Sequence, residues 1–348
     1  MRKMGRFVVD THVHAQRFAA GEKLRQAQKE HKENPSQTSY DQLNSVMHDI
    51  VAYDNSKRLF YDMDCYGVDM CVLSPAFGMK NALNMELVEK YPDKFVALCD
   101  AQRTAELARA GEIQWSMEEA CRELDELLST GKFVGIGEGM PHFPNPKGYV
   151  NEYQRLDEML QVMEVARKHK VTVRYHTGTP IGYNSYAQFW PETFHPEWAH
   201  VLASKYPDVP IVFDHGGMQG WWWEHWVDQC LHVVASHDNV YLECGLYWTD
   251  LYYKALNDPN IGPEKLLWGT DWGASIPIYA KPGAGPKGGY AVQLRKEGTV
   301  KHQVDLWGWS LRQLDRLDIS QDDLNLILGG NAIRLYHLPF PLTRMFRL

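Results

Sequence analysis

His12 and His14 stand two residues apart at the end of the first apolar stretch of this 348-residue chain, in "VVDTHVH" (residues 8–14). Strand side chains alternate in direction, so a strand here places Asp10, His12 and His14 on one face. Two imidazoles on one face of a strand end can grip a single metal ion. Neutral imidazole nitrogen suits zinc or iron. With 15 histidines in the chain, such a pair alone is a weak signal. Its place at the end of an apolar strand, just after an aspartate, makes it a strong one.

The same position recurs further along. Val134, Ile136 and Glu138 are in phase, and Glu138 ends its strand. His176 ends "VTVRYH", His215 follows "PIVFD", and Asp271 stands in "WGTDWG". Five strands therefore deliver Glu, Asp or His to one rim, far apart in sequence but joined if the strands close into a barrel. Arg174 is in phase with His176 and should face the interior, where a buried Arg needs a partner. Glu138, Glu243 and a substrate carboxylate are the alternatives. Asp214, next to His215, is expected to point the other way.

The elements that must position these residues follow from alternating apolar runs and helical patterns, the mark of βα units. Eight strands are expected, at 6–12, 68–75, 95–101, 133–139, 171–177, 210–216, 240–245 and 266–272. Helices are expected at 116–130 and 152–169. In the first, Met117, Ala120, Cys121, Leu124, Leu127 and Leu128 recur at helical spacing, and Gly131 follows. The glycine fingerprint of a dinucleotide-binding sheet is absent after strand one, where "DTHVHAQ" stands instead. The expected fold is an α/β TIM-type (β/α)8 barrel, as one domain over 1–348. Segments 15–57, 178–200 and 273–305 are too long for plain connections. All three follow strand C-terminal ends, the face where barrel enzymes build their sites.

The net charge is −8, with no visible basic face, so neither nucleic acid nor an anionic membrane is an expected partner. The six cysteines form no CxxC pair and read as reduced thiols of a cytoplasmic protein. The N-terminus lacks the apolar stretch of a signal peptide, and no apolar run is long enough for a membrane span. Tryptophan is abundant, at 12 residues. Trp221, Trp222, Trp223 and Trp226 either pack a helix or wall a pocket. With Phe189, Trp190, Tyr247, Trp248 and Trp272 they suggest an apolar or aromatic substrate. Arg174, Trp222, Trp248 and Trp272 are the candidate substrate contacts.

Taken together, "DTHVH", "RYHTG", "FDHGG", "WGTDW" and the C-terminal "ILGGNAIRLYHL" resemble the amidohydrolase superfamily. The similarity is to the amidohydrolase-related branch, which holds aminocarboxymuconate-semialdehyde and γ-resorcylate decarboxylases alongside hydrolases. The resemblance spans nearly the whole chain. It implies that His12, His14, His176 and Asp271 are metal ligands. It implies that His215 is either a ligand to a second metal or a general acid/base. Asp271 would take the proton of a metal-bound water, whose pKa zinc lowers to about 7.

Glu138 decides between one metal and two. The resemblance implies no carboxylate at this point in mononuclear decarboxylases. "VGIGEG" is similar to a stretch of TatD-type nucleases whose Glu bridges two metals. Bridging by Glu138 is favoured over a structural pairing with Arg174. The function expected first is a metal-dependent hydrolase of an ester, thioester, amide or lactone, acting on a small apolar or aromatic carboxylic-acid-type substrate. A mononuclear decarboxylase of an aromatic or dienoic acid, and a non-catalytic binding barrel, are the alternatives. One or two divalent metals are expected per chain, zinc first and iron or manganese next, in a homo-oligomer.

Overall fold

The computed structural model describes residues 6–46, 49–75, 80–141, 152–177, 195–219, 223–224, 226–273 and 306–339. Eight parallel strands appear where the apolar runs placed them. They are β1 (Val9–Val13), β2 (Met70–Leu73), β3 (Phe95–Cys99), β4 (Phe133–Ile136), β5 (Thr172–His176), β6 (Ile211–Asp214), β7 (Val240–Glu243) and β8 (Leu266–Leu267). Their order across the sheet follows the chain. The first and last strands then meet. The Thr11 amide donates to Trp268 O at 3.0 Å, His14 N to Trp272 O at 2.7 Å, and Trp272 N to His12 O at 3.2 Å. A parallel bridge pairs Val13 with Trp272. The fold is a TIM-type (β/α)8 barrel.

The strands are apolar because both faces are covered. Val9, Met70, Val72, Leu98, Val212 and Leu267 share one core cluster with Tyr336 from the C-terminal helix Asn331–Tyr336. Phe95, Ala97, Phe133, Ile211 and Phe213 belong to the other cluster, with the surrounding helices.

Helix Met117–Ser129 shows how the outer ring is built. The Ser116 hydroxyl caps it by accepting from Glu119 N, and Glu118 and Glu119 sit in its first turn, where the helix dipole favours negative charge. Ala120, Leu124 and Leu128 are buried. Each leucine so buried is worth about 2 kcal/mol. Gly131 then turns the chain away at φ +71°.

The segment after β1 folds into a two-stranded antiparallel ribbon, Gln16–Ala20 with Ile50–Asp54. Helices Glu22–Glu33 and Gln37–Ser45 lie between its strands, and Leu24, Ala27 and Leu43 form a small core of their own. Most of the expected insertions at 178–200 and 273–305 lie outside the described residues, as do Trp221 and Trp222. No helix among the described residues is long and apolar enough to cross a membrane.

Candidate metal centre

The sequence places His12 and His14 at the end of β1, and both turn to the same point, as their two-residue spacing predicts. The β1–β2 register shifts between Asp10 and Val13. Asp10 therefore does not join the histidines, contrary to the one-face expectation. Its Oδ1 accepts from His12 N at 2.9 Å and Thr270 N at 3.1 Å. Its Oδ2 accepts from the Thr270 hydroxyl and the Trp307 indole, both at 2.5 Å. Asp10 clamps β1 to the chain beyond β8.

Glu138 lies two residues past β4, and Ile136 packs in the outer cluster rather than in phase with it. The β3–β4 register shifts earlier, between Phe133 and Gly135, and Glu138 reaches the centre from beyond the strand's end. Its Oε2 is 3.4 Å from His12 Nε2 and 3.4 Å from His14 Nε2. Its Oε1 is 3.3 Å from His176 Nε2 and 3.8 Å from His215 Nε2. One carboxylate thus faces four imidazoles, two on each oxygen. Asp271 Oδ1 completes one side, 3.0 Å from His14 Nε2 and 3.7 Å from His12 Nε2. All six residues expected as ligands come together.

Two of the six are held in a backbone conformation that L-residues disfavour. His215 has φ +62° and Asp271 φ +57°. Such left-handed turns cost about 1 kcal/mol or more for a non-glycine residue and cluster at functional sites. Gly216 and Gly217 continue the left-handed path after His215, at φ +55° and +81°. This turn explains a second difference from simple alternation. Asp214 is not turned away; it ends β6 fully buried and ion-paired to Arg174 Nε. His215 swings back to the same interior because the strand has ended.

Beneath the histidines lies a buried charge cluster. Glu243, at the end of β7, places Oε1 and Oε2 each 3.1 Å from His12 Nδ1 and accepts from His215 N at 3.1 Å. Arg174 pairs with both Glu243 and Asp214. It also donates to Thr11 O at 3.2 Å and Tyr336 Oη at 2.9 Å. Arg174 is 0 % exposed, and its contacts among the described residues are structural ones, where a substrate carboxylate was also expected as a partner. Glu243 ends an apolar strand as His176 does, and of the three partners expected for Arg174 it is one the structure supplies. The remaining orienting bond joins His14 Nδ1 to Ser74 O at 2.9 Å, where only a protonated Nδ1 can donate.

The described tryptophans make packing contacts. Trp272 is buried, donates to Asp62 Oδ2 at 3.0 Å, and lies 5.8 Å from the Trp307 ring. Trp248 is half-buried with its ring set edge-on to Trp309 at 6.3 Å. Trp226 is buried beside His195. Trp222 lies outside the described residues.

Electrostatics and hydrogen bonding test whether a cation fits. Burial alone would raise Glu138, but His12 and His14 outweigh it and hold the carboxyl well below its ordinary range. Burial would lower His12, and Glu243 and Glu138 outweigh it in the other direction. Burial and the neighbouring His215 pull His176 down to about 4. Burial raises Asp214 to about 6 against the pull of Arg174. Among the described residues, His12 Nε2, Glu138 Oε2 and Asp271 Oδ1 are buried polar atoms without a hydrogen-bond partner. Buried groups of this kind are rare and call for an explanation. Ligand atoms of His12, His14 and Asp271 lie within 4.8 Å of one another, as do those of His12, Glu138 and His215. Imidazole nitrogen with carboxylate oxygen is the donor set of a divalent cation such as zinc or manganese. The residues fit the metal.

A sequence profile of the amidohydrolase family matches residues 9–338. No curated protein matches the chain. Among solved structures, it is similar to 2,6-dihydroxybenzoate decarboxylase from Rhizobium, at 15% identity and TM-score 0.56, covering 96% of this chain and 99% of that one. It is similar to a dihydroxybenzoic acid decarboxylase from Polaromonas sp. JS666 with bound manganese, at 18% identity and TM-score 0.55, covering 99% of each chain. A zinc-bound amidohydrolase from Burkholderia multivorans matches at 12% identity and TM-score 0.51, covering 96% of this chain and 100% of that one. At these identities the likeness is one of fold. The profile match over nearly the whole chain carries the assignment further, and the ligand-ready rim agrees with it: this protein belongs to the amidohydrolase family and is a metal-dependent enzyme.

Proposed function

We propose that the protein is a hydrolase with a two-cation centre bridged by Glu138. One observation carries this reading: the two oxygens of Glu138 are divided between two histidine pairs. His12, His14 and Asp271 would hold one cation, and His176 with His215 the other. Bound there, divalent cations supply Lewis acidity and make water nucleophilic near neutral pH. Zinc is the proposed ion, with manganese or iron the alternatives.

The chain's own residues then do the rest. Asp271 Oδ1 lies at the centre beside His14 Nε2 and accepts no hydrogen bond from the described residues, so it can accept a proton from the attacking water. The same oxygen can return that proton to the leaving group. Glu243 and Ser74 O fix the rings of His12 and His14, so their Nε2 lone pairs point to one place. The substrate class is an ester, thioester, amide or lactone of an apolar or aromatic carboxylic acid. Six unpaired cysteines suit a reducing compartment, and we place the enzyme in the cytoplasm.

A second reading rests on the fold neighbours that act on dihydroxybenzoates. It is a one-cation decarboxylase, with His215 protonating the ring carbon. Metal content of wild type and Glu138→Gln separates the two. About two cations per chain falling to about one supports the bridged centre. About one in both proteins overturns it, and carbon dioxide release from hydroxybenzoic acids then becomes the assay of choice.

A further inference from the structure

A second set of metal-ligating side chains lies on the outer ring of helices. His200 stands in the first turn of helix Ala199–Lys205. His232 stands in helix Val227–Ser236, and His237 follows that helix as its C-terminal cap. Glu197 comes from the short turn Pro196–Trp198. His200 Nε2 is 3.3 Å from Glu197 Oε2, and its ring is 5.5 Å from that of His232. One ligand atom from each of Glu197, His200 and His232 lies within 4.8 Å of the others.

The fourth residue gives this cluster a built character. His200 Nδ1 is 2.7 Å from His237 Nε2, so one of these nitrogens donates and the other accepts. Lys265 Nζ donates to His237 O at 2.9 Å, which brings a fixed positive charge to the same corner. With Nδ1 engaged by His237, Nε2 is the nitrogen that His200 turns toward Glu197, and with Nδ1 as the donor it is the one that would ligate a cation. Ligating histidines are commonly anchored this way through their other nitrogen.

We propose that Glu197, His200 and His232 form a second site, for a borderline divalent transition ion such as zinc, with His237 as the anchor of His200. Two imidazoles and one carboxylate suit such an ion better than magnesium or calcium, which prefer all-oxygen shells. Three protein ligands leave positions open to water. The ion would tie the helix before β6 to the helix before β7, so its effect is on the outer ring. The proposal does not depend on the hydrolase reading.

The test is a calorimetric titration of Zn2+ into the holoenzyme, its catalytic centre already loaded, for wild type and for His200→Ala, His232→Ala and His237→Ala. The expected result is one further equivalent in wild type, absent in His200→Ala and His232→Ala. In His237→Ala the equivalent remains but binds about tenfold more weakly or worse, as anchor mutations do. Circular dichroism and retained activity show that the variants fold. No further equivalent in wild type overturns the proposal. So does a further equivalent that survives in His200→Ala or His232→Ala, or one unweakened in His237→Ala.

Discussion

Both carboxylate oxygens of Glu243 lie 3.1 Å from Nδ1 of His12, which stands 231 residues earlier in the chain. This contact fixes which nitrogen of His12 is turned to the metal side. It also binds β7 to β1 across the barrel interior.

Glu243→Gln should therefore weaken metal binding without touching a ligand. A loss of about 10- to 100-fold in affinity is expected, read by chelator competition. Unchanged affinity would show that His12 is oriented by other means.

Arg174 neutralises two buried carboxylates, Asp214 and Glu243. Arg174→Met leaves both uncompensated, and removing one partner of a buried ion pair costs about 3–5 kcal/mol. Chemical denaturation should show that loss in the metal-free protein. Had Arg174 served a substrate carboxylate instead, the stability would hold and only KM would rise.

His176 provides a pH signature. Its folded value, about 4, lies below the ordinary histidine value of about 6.5. The folded state thus binds this proton more weakly than the unfolded chain does. Its contribution to stability is complete above about pH 6.5 and is lost as pH falls toward 4, by about 3 kcal/mol in full. Chelator-treated wild type should lose stability more steeply across this window than His176→Gln. Parallel curves for the two proteins would refute the assignment.

Gly273 follows Asp271 and Trp272 at φ +88°. A Cβ here would collide with the carbonyl oxygen of His14. Gly273→Ala should lower stability by more than about 1 kcal/mol, through strain and through the displaced β1 edge. Metal affinity should fall with it, since His14 moves. A variant with wild-type Tm and metal content would show that the seam tolerates the shift.

The barrel was readable because strands covered on both faces spell themselves as apolar runs, from "FVV" at β1 to "LLW" at β8. The rim residues were readable because strand ends mark one face of such a barrel. What period-two alternation misjudged has local causes. The register shift in β1 turns Asp10 out of the set, and the left-handed turn at His215 lets Asp214 point inward beside it. Arg174 was correctly placed inside, yet its partners depend on β6 and β7 meeting at depth, which no local pattern encodes. Tryptophan abundance could not tell wall from core: Trp272 is buried with its ring tilted against that of Trp307.

The closure of the barrel has a kinetic consequence. His12 and His14 lie on one side of the seam and Asp271 on the other, joined by backbone bonds between residues 11–14 and 268–272. Contacts between such distant segments form late, because a long loop must be closed before they repay its entropy. A folding intermediate that has built β2 through β7 would have nearly all of its sheet and still lack the complete pocket for a cation. Metal uptake in a refolding experiment should therefore trail the growth of secondary structure and report the final step, the meeting of the first strand with the last.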